Sequence, residues 1–224
     1  MTTFDAVLFD LDGTLCRRTQ DTERLYRRAF ERVGTEPFGD PESLWAVLDG
    51  PPDHDDRAGD LGAGFARLAA QHGRSGVDPL ALGAAIADLV DDSQVAMRSG
   101  APAALTSAEA VGSVGLVTNG PERRQRVKLD ALGITDRFDT RVYAFDLPRR
   151  KPHADPFERA LATLDTAPER ALYVGNSLEY DVAGAQNAGL PVAWLGDGEN
   201  PDPYDPEHVL NSPADVESLL ADKR

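Results

Sequence analysis

Short, largely apolar runs alternate with helical patterns along most of the 224-residue chain. Such runs predict buried strands where they end at turn residues, because a strand covered on both faces needs apolar side chains at successive positions. The predicted strands are residues 6–9, 114–117, 141–145, 171–174, 192–195 and 208–210. The patterns between them predict helices at residues 122–132, 155–164 and 182–188, and a last helix after the last strand. This alternation predicts an α/β fold with a parallel sheet.

One long segment interrupts the alternation. From about residue 17 to residue 99 the apolar positions follow a helical period, and we predict no strand there. The predicted helices of this segment are residues 22–33, 41–48, 58–71 and 79–97. We therefore expect a core domain of residues 1–16 and 100–224, with an all-helical domain of residues 17–99 inserted after the first strand.

The charge of the chain narrows the range of its partners. The net charge is −15, and Lys occurs only three times. An acidic surface disfavours nucleic acid and anionic lipid, and this Asp-rich, Lys-poor balance resembles that of halophilic proteins. No apolar run approaches the roughly 20 residues of a membrane span, no signal-peptide pattern is present, and the single cysteine, Cys16, excludes an internal disulfide. We expect a cytoplasmic monomer or homodimer without nucleic-acid or membrane partners.

Polar side chains suited to chemistry cluster near the ends of predicted strands. They are Asp10 and Asp12 after the first strand, Thr118 and Asn119 after the second core strand, Lys151 before a helix and Asp181 at the start of another. Ligands of parallel sheets bind at the carboxyl ends of the strands, so we expect these side chains to lie together. Asp10 and Asp12 would repel each other without a cation, and Mg2+ prefers carboxylate, carbonyl and water oxygens. A carboxylate nucleophile, an acid/base, a lysine and hydrogen-bond donors are the groups that phosphoryl transfer requires.

Four stretches in this order resemble the motifs of a known family. They are DLDGT at 10–14, VTNG at 117–120, RRKPHADPF at 149–157 and YVGNSLEYDVAGAQNAG at 173–189. The chain resembles the haloacid dehalogenase-like (HAD) superfamily, in its phosphatase branch with a helical cap inserted after the first motif. The resemblance implies a Rossmann-like core, a helical cap domain, Mg2+ as the cofactor, and hydrolysis of a small phosphorylated metabolite through an aspartyl-phosphate intermediate.

The resemblance also implies a role for each matching residue. Asp10 is similar to the nucleophile, whose second oxygen binds the metal. Asp12 resembles the general acid/base, and its backbone carbonyl is implied as a metal ligand. Thr118 and the Asn119 amide resemble the donors to the phosphoryl oxygens. Lys151 would neutralise both the nucleophile and the phosphate.

The fourth motif departs from the pattern of the family. Many members have Gly-Asp where this chain has Gly175 and Asn176. Three alternatives follow: Asn176 still binds the metal but more weakly, Asp181 replaces it as the ligand, or Glu179 contributes. We favour a working site with Asp181 as the charged ligand, and we expect a weaker affinity for Mg2+.

Three other functions share some of these motifs. A 2-haloacid dehalogenase also uses the first aspartate, but that branch typically carries an aromatic residue at the position of Asp12. A phosphomutase shares all four motifs. A weakly active binding or regulatory protein would be consistent with Asn176. Arg17 and Arg18, at the start of the helical insertion, would suit an acidic substrate, whose identity the sequence leaves open.

Overall fold

The computed structural model describes residues 3–48, 53–196, 198 and 200–221. Within these residues the chain forms two compact units, one of Met1–Arg18 with Val95–Arg224 and one of Thr19–Gln94. We call the first the α/β unit and the second the helical unit. The strands are β1 (Ala6–Phe9), β2 (Cys16–Arg18), β3 (Val95–Met97), β4 (Ser113–Thr118), β5 (Thr140–Tyr143), β6 (Ala171–Gly175), β7 (Val192–Leu195) and β8 (His208–Leu210). The helices are α1 (Thr22–Val33), α2 (Pro41–Ala46), α3 (Arg57–Gln71), α4 (Pro79–Leu89), α5 (Ala101–Glu109), α6 (Glu122–Leu132), α7 (Asp155–Leu164), α8 (Ala183–Asn187) and α9 (Asp215–Ala221).

A parallel sheet is the centre of the α/β unit. In the described residues it has six strands in the order β5-β4-β1-β6-β7-β8, and every neighbouring pair is parallel. This confirms the predicted α/β fold. Phe9, the last residue of β1, lies opposite Leu116 of β4 and Val174 of β6. The chain segments that follow these three strands therefore begin at the same edge of the sheet.

Apolar side chains on both faces of the sheet explain why β1 is apolar throughout. On one face, Val7 and Phe9 pack in a cluster with Leu105 of α5. On the other face, Leu8 packs with Phe157 of α7. Successive residues of a strand point to opposite faces, so a strand between two helical layers needs apolar residues at every position.

Two short strands contradict the prediction that residues 17–99 contain no strand. The three-residue strand β2 pairs antiparallel with β3, and Arg17 lies opposite Ala96. The helix predicted for residues 79–97 is correspondingly too long, because α4 ends at Leu89. Strands of this length carry too few residues for an alternating pattern, and the pairing joins segments that are far apart in sequence.

Helix α5 is a second difference from the sequence-based prediction, which placed no helix there. Its buried residues are mostly alanine, namely Ala101, Ala104 and Ala108. Its N-cap is Gly100, in the left-handed region at φ 85°, and no side chain caps the first turn. The helix therefore lacks both a strong apolar period and the Ser, Thr, Asp or Asn that marks most helix starts.

The helix predicted at residues 182–188 begins differently from the expectation. A π-helical turn, Leu178–Val182, precedes α8. The Ser177 hydroxyl accepts a hydrogen bond from the Tyr180 N–H at 3.1 Å and so caps this turn. Asp181 lies inside the turn and is buried.

The helical unit has a core of its own. Tyr26, Phe30 and Phe65 are in mutual contact, with ring centroids 5.0 to 5.7 Å apart. Helices α1 to α4 each begin after an aspartate whose carboxylate accepts a hydrogen bond from the first turn, namely Asp21, Asp40, Asp56 and Asp78. Part of the Asp-rich composition is therefore used in helix capping. Among the described residues, no helix is both long enough and apolar enough to cross a membrane.

Candidate active site

Lys151 is the centre of a buried polar cluster at the carboxyl edge of the sheet. Its ammonium donates hydrogen bonds to Asp10 Oδ1 at 2.8 Å and to Asp181 Oδ1 at 2.6 Å. It also lies 3.0 Å from both the Val117 carbonyl oxygen and the Tyr173 hydroxyl oxygen. Lys151 and Asp10 follow different strands, and Asp181 lies in the π-helical turn after β6. The structure thus brings together three of the residues that the sequence singled out.

Asn119 holds the backbone of Lys151. The Asn119 side-chain N–H donates to the Lys151 carbonyl at 3.0 Å, and the Lys151 N–H donates to Asn119 Oδ1 at 2.9 Å. This pair of hydrogen bonds fixes the segment from which the lysine side chain reaches the sheet edge. The expected contact of the Asn119 amide with phosphate stays a prediction.

The Asp181 carboxylate is surrounded by donors from the chain itself. Oδ1 accepts from Lys151 and from the Tyr173 hydroxyl at 2.9 Å. Oδ2 accepts from the backbone N–H groups of Asn176 at 3.0 Å and Ser177 at 2.9 Å. A carboxylate has about four acceptor positions, so direct metal binding by Asp181 would require one of these hydrogen bonds to break. Its expected role as a metal ligand stays a prediction.

Asn176 lies against the DLDGT loop. Its Oδ1 accepts a hydrogen bond from the Thr14 hydroxyl at 3.1 Å. Gly13 has φ +84°, and a Cβ atom on it would lie between 2.6 and 2.9 Å from atoms of the Asn176 side chain. The Asn176 carbonyl accepts from the Trp194 indole at 2.9 Å. The amide oxygen of Asn176 is therefore adjacent to the loop that carries the two aspartates.

Two residues of α6, both missed by the sequence analysis, contact Asp12. The Lys128 ammonium lies 2.8 Å from Asp12 Oδ1 and 2.6 Å from Oδ2. The Gln125 amide donates to Asp12 Oδ2 at 2.9 Å and to the Thr118 hydroxyl at 2.7 Å. Both α6 residues are buried. Their spacing of three residues places them on one helix face, but a polar pair in the sequence ERRQRVKL is more typical of a solvent-exposed surface.

The pKa values of the two aspartates, Asp10 and Asp12, are shifted in opposite directions. Burial, opposed by Lys151, raises the pKa of Asp10 to about 7. Partial burial works to raise the pKa of Asp12, but Lys128 and Gln125 outweigh it and hold that pKa below its usual value. Burial acts to lower the pKa of Lys151, but Asp10 and Asp181 outweigh it and raise that pKa. Lys151 therefore remains a cation that contacts the carboxyl groups of both Asp10 and Asp181.

Oxygen atoms of Asp10, Asp12 and Asn176 are of the kind that bind a magnesium ion. Asp10 Oδ2 accepts no hydrogen bond from the described residues, and the Asp12 carbonyl and the Asn176 amide oxygen are further hard ligands. The described residues contain no group of three or more His, Cys, Asp or Glu side chains arranged for a metal. An ion bound here would depend on one carboxylate, neutral oxygens, water and substrate phosphate. The donor set fits Mg2+, and its low charge is consistent with the expected weak affinity.

The remaining candidates from the sequence lie near the site loop. Cys16 is buried, and burial together with Asp12 raises its pKa to about 12, which excludes a reactive thiolate at neutral pH. Arg17 is exposed on β2 and Arg18 is partly buried. Arg18 is close enough to help lower the pKa of Asp12.

Sequence comparison adds a family and a close relative. The model of the haloacid dehalogenase-like hydrolases matches residues 4–189. A phosphoglycolate phosphatase from Cereibacter sphaeroides is 34% identical in an alignment 216 residues long that covers 92% of this chain and 92% of that protein. The match to the family model therefore includes residues of both units and all four motifs.

Structure comparison gives the same fold at lower identity. The HAD-hydrolase YfnB from Bacillus subtilis, solved with bound magnesium, has a TM-score of 0.74 and 20% identity, and the match covers 98% of this chain and 99% of that one. A 2-haloacid dehalogenase from Pseudomonas syringae has a TM-score of 0.64 and 24% identity over 99% of this chain and 100% of that one. At these identities the likeness shows a common fold.

Proposed function

The chain belongs to the haloacid dehalogenase-like hydrolase family, and on that premise we propose that it is a Mg2+-dependent phosphatase of small phosphorylated metabolites. The observation that carries the proposal is the buried ion pair between Lys151 and Asp10, whose Nζ and Oδ1 atoms are 2.8 Å apart. A carboxylate held against a buried cation is suited to attack phosphorus and form an aspartyl-phosphate. The Cereibacter sphaeroides relative makes 2-phosphoglycolate the first substrate to test.

The proposed first step is attack of Asp10 on the phosphoryl group. The bond from an Asp10 oxygen to phosphorus forms while the bond from phosphorus to the leaving oxygen breaks. Lys151 neutralises charge on the nucleophile and the phosphoryl oxygens, and the Thr118 hydroxyl donates a hydrogen bond to one of those oxygens. Asp181, Tyr173 and Asn119 keep the ammonium in position through the hydrogen bonds described above.

Asp12 is the proposed acid and base. In its protonated form it gives a proton to the leaving oxygen, and in its ionised form it takes a proton from the water that hydrolyses the aspartyl-phosphate. Its side chain is 51% exposed, so substrate and water have access to it. Asp12 is also the residue that favours phosphate esters over haloacids, because displacement of halide requires no proton for the leaving group.

The groups proposed to hold Mg2+ are the Asp10 carboxylate, the Asp12 carbonyl and the Asn176 amide oxygen. When bound, Mg2+ supplies positive charge against the phosphoryl oxygens. The four hydrogen bonds to Asp181 support Asn176 over Asp181 as the ligand. We assign the helical unit to the cap domain of the family, and the cations Arg17 and Arg18 favour an anionic substrate.

The proposal is tested with p-nitrophenyl phosphate and 2-phosphoglycolate, with Mg2+ and after chelation by EDTA. We expect phosphate release that stops on chelation and returns with added Mg2+. Asp10→Asn should lower kcat by at least about 10³-fold, because a nucleophile is lost, whereas Asp165→Asn, at an exposed site, should leave kcat unchanged.

Each competing function predicts a different result. Chloride release from a 2-haloacid without Mg2+ would support the dehalogenase. Isomerisation of a sugar phosphate in preference to hydrolysis would support the phosphomutase. A protein that binds no Mg2+ and releases no phosphate from a broad panel, in low or molar KCl, would support the binding or regulatory role that Asn176 suggests.

A further inference from the structure

Two buried polar residues of α6, Gln125 and Lys128, contact the side chain of Asp12. Gln125 is 2% exposed and Lys128 is 4% exposed. A buried ammonium is unfavourable without a counter-charge, and among the described residues the Asp12 carboxylate is the one hydrogen-bond partner of Lys128. Lys128 therefore forms its ion pair with Asp12.

The Gln125 amide links the acid/base to the phosphate-binding hydroxyl. One side-chain nitrogen donates both to Asp12 Oδ2 and to Thr118 Oγ1. The opposite atom, Gln125 Oε1, is buried and has no hydrogen-bond partner within the described part of the chain. A flipped amide would set this oxygen against a carboxylate, so the need to donate to Asp12 decides the orientation despite an unpaired acceptor.

Gly120 provides the space for this amide. A Cβ atom at position 120 would lie 2.2 Å from the Gln125 side-chain nitrogen. The turn after β4 therefore admits the Gln125 side chain because residue 120 has no side chain. Three donor contacts from α6 then converge on one carboxylate, Lys128 on both oxygens and Gln125 on one.

We propose that Gln125 and Lys128 are positioning residues that fix the orientation of the Asp12 carboxyl group for hydrolysis of the phosphoenzyme. This inference rests on the proposed phosphatase function. In this step a water oxygen bonds to phosphorus, the bond between phosphorus and the Asp10 oxygen breaks, and a proton of the water passes to Asp12. The contacts of α6 fix the position of the carboxyl group that accepts this proton, whereas formation of the aspartyl-phosphate from an ester with a good leaving group does not need a proton from Asp12.

The test uses p-nitrophenyl phosphate with Mg2+ in stopped-flow and steady-state measurements on Gln125→Met and Lys128→Met. Because p-nitrophenolate leaves without a proton, kcat/KM reports the first step and should stay within about twofold of wild type. The value of kcat should fall by about 10-fold or more, because base catalysis is impaired. KM should fall with it, and a burst of p-nitrophenolate equal to the enzyme concentration should precede slow turnover.

Arg126→Met is the matched control, because it removes a cation from the same helix at an exposed position whose ion pair is with Glu122. It should leave both constants unchanged. A full burst also demonstrates that a variant is folded. If Lys128→Met does not fold, Gln125→Met decides the test, because it changes no charge.

The possible outcomes distinguish a failure of this inference from a failure of the proposed phosphatase function. A wild-type enzyme that hydrolyses the ester with Mg2+, together with variants whose kcat is unchanged, would overturn the inference and leave the function standing. Equal losses of kcat and kcat/KM in folded variants would do the same, since they would locate the effect in the first step. A wild-type protein that releases no phosphate would overturn both.

Discussion

Gly13 shows how one residue joins two parts of the site that are far apart in sequence. It lies between Asp12 and Thr14, its φ is +84°, and its N–H donates to the Cys16 carbonyl at 2.9 Å. The motif predicts a glycine that allows a tight turn. It does not predict that the space beside this glycine is filled by the side chain of Asn176, because that contact depends on how two strands pair.

Substitution of this glycine is expected to impair both stability and activity. Gly13→Ala places a Cβ where a left-handed backbone disfavours it, which costs about 1–2 kcal/mol of unfolding free energy, and also pushes against Asn176. Gly133 is the matched control, since it has φ +66° and nothing within 4 Å of its added Cβ. Gly133→Ala should therefore lose similar stability and keep its kcat, whereas Gly13→Ala should lose kcat at least about 10-fold.

Denaturant unfolding and the Mg2+-dependent hydrolysis of p-nitrophenyl phosphate measure the two effects. Equal kcat values for the two variants would contradict the view that the space beside Gly13 matters for the site.

The site residues that could be predicted from the sequence follow the ends of strands, and those that could not be predicted lie within a helix. Asp10 and Lys151 could be placed near each other because the ends of parallel strands meet at one edge. Gln125 and Lys128 could not, since their partner Asp12 is more than 100 positions away and no strand end marks them. A lysine in a helix is exposed by default, and only the tertiary contact with Asp12 overrides that expectation.

At the scale of whole elements, the predictions succeeded where local signals are strong. Helices α1, α6 and α7 begin and end at the predicted residues. Each of these helices has a clear boundary in the sequence, such as Asp21 before α1, Gly133 after α6 and Pro156 in the first turn of α7. Strands β2 and β3 lack such signals, and α5 has a proline, Pro102, in its first turn but no side-chain cap and mostly alanine on its buried face. The formation of these three elements therefore depends on tertiary packing and pairing.

The contact between α3 and α4 gives a prediction in which packing opposes local propensity. A Cβ on Gly83 of α4 would lie 2.3 Å from the Ala58 carbonyl oxygen and 2.6 Å from the Gly62 nitrogen of α3. Helix propensity alone would make Gly83→Ala more stable by about 1 kcal/mol. Because both neighbours are backbone atoms that cannot move aside, we expect the helical unit to lose about 1–3 kcal/mol instead.

Hydrogen exchange of the helical unit measures this change directly, and Ala84→Gly on the same helix serves as the comparison. That substitution should lose up to about 1 kcal/mol from propensity alone, so glycine and alanine should each be preferred at their own positions. A gain of stability in Gly83→Ala would show that α3 and α4 can separate without penalty.

At the scale of the whole molecule, some acidic side chains are paired or cap helices, and the others set the net charge. The polar cluster around Lys151 is close to balanced, and helix-capping aspartates stabilise N-termini. The remaining acidic side chains give the chain its net charge of −15 and contribute self-repulsion to the folded state. The sequence predicts the net charge directly, because composition alone determines it. The halophilic interpretation of this charge stays a prediction.

Screening of this self-repulsion should make the protein more stable in salt. The Debye length falls from about 10 Å at 0.1 M to about 3 Å at 1 M, so the melting temperature in 1 M KCl should exceed that in 0.1 M KCl by several degrees. Sucrose is the control, since it strengthens apolar burial by exclusion from the surface and does not screen charge. If the melting temperature rises with sucrose but not with KCl, repulsion among the acidic side chains does not limit stability, and the Asp-rich surface is a feature of solubility alone.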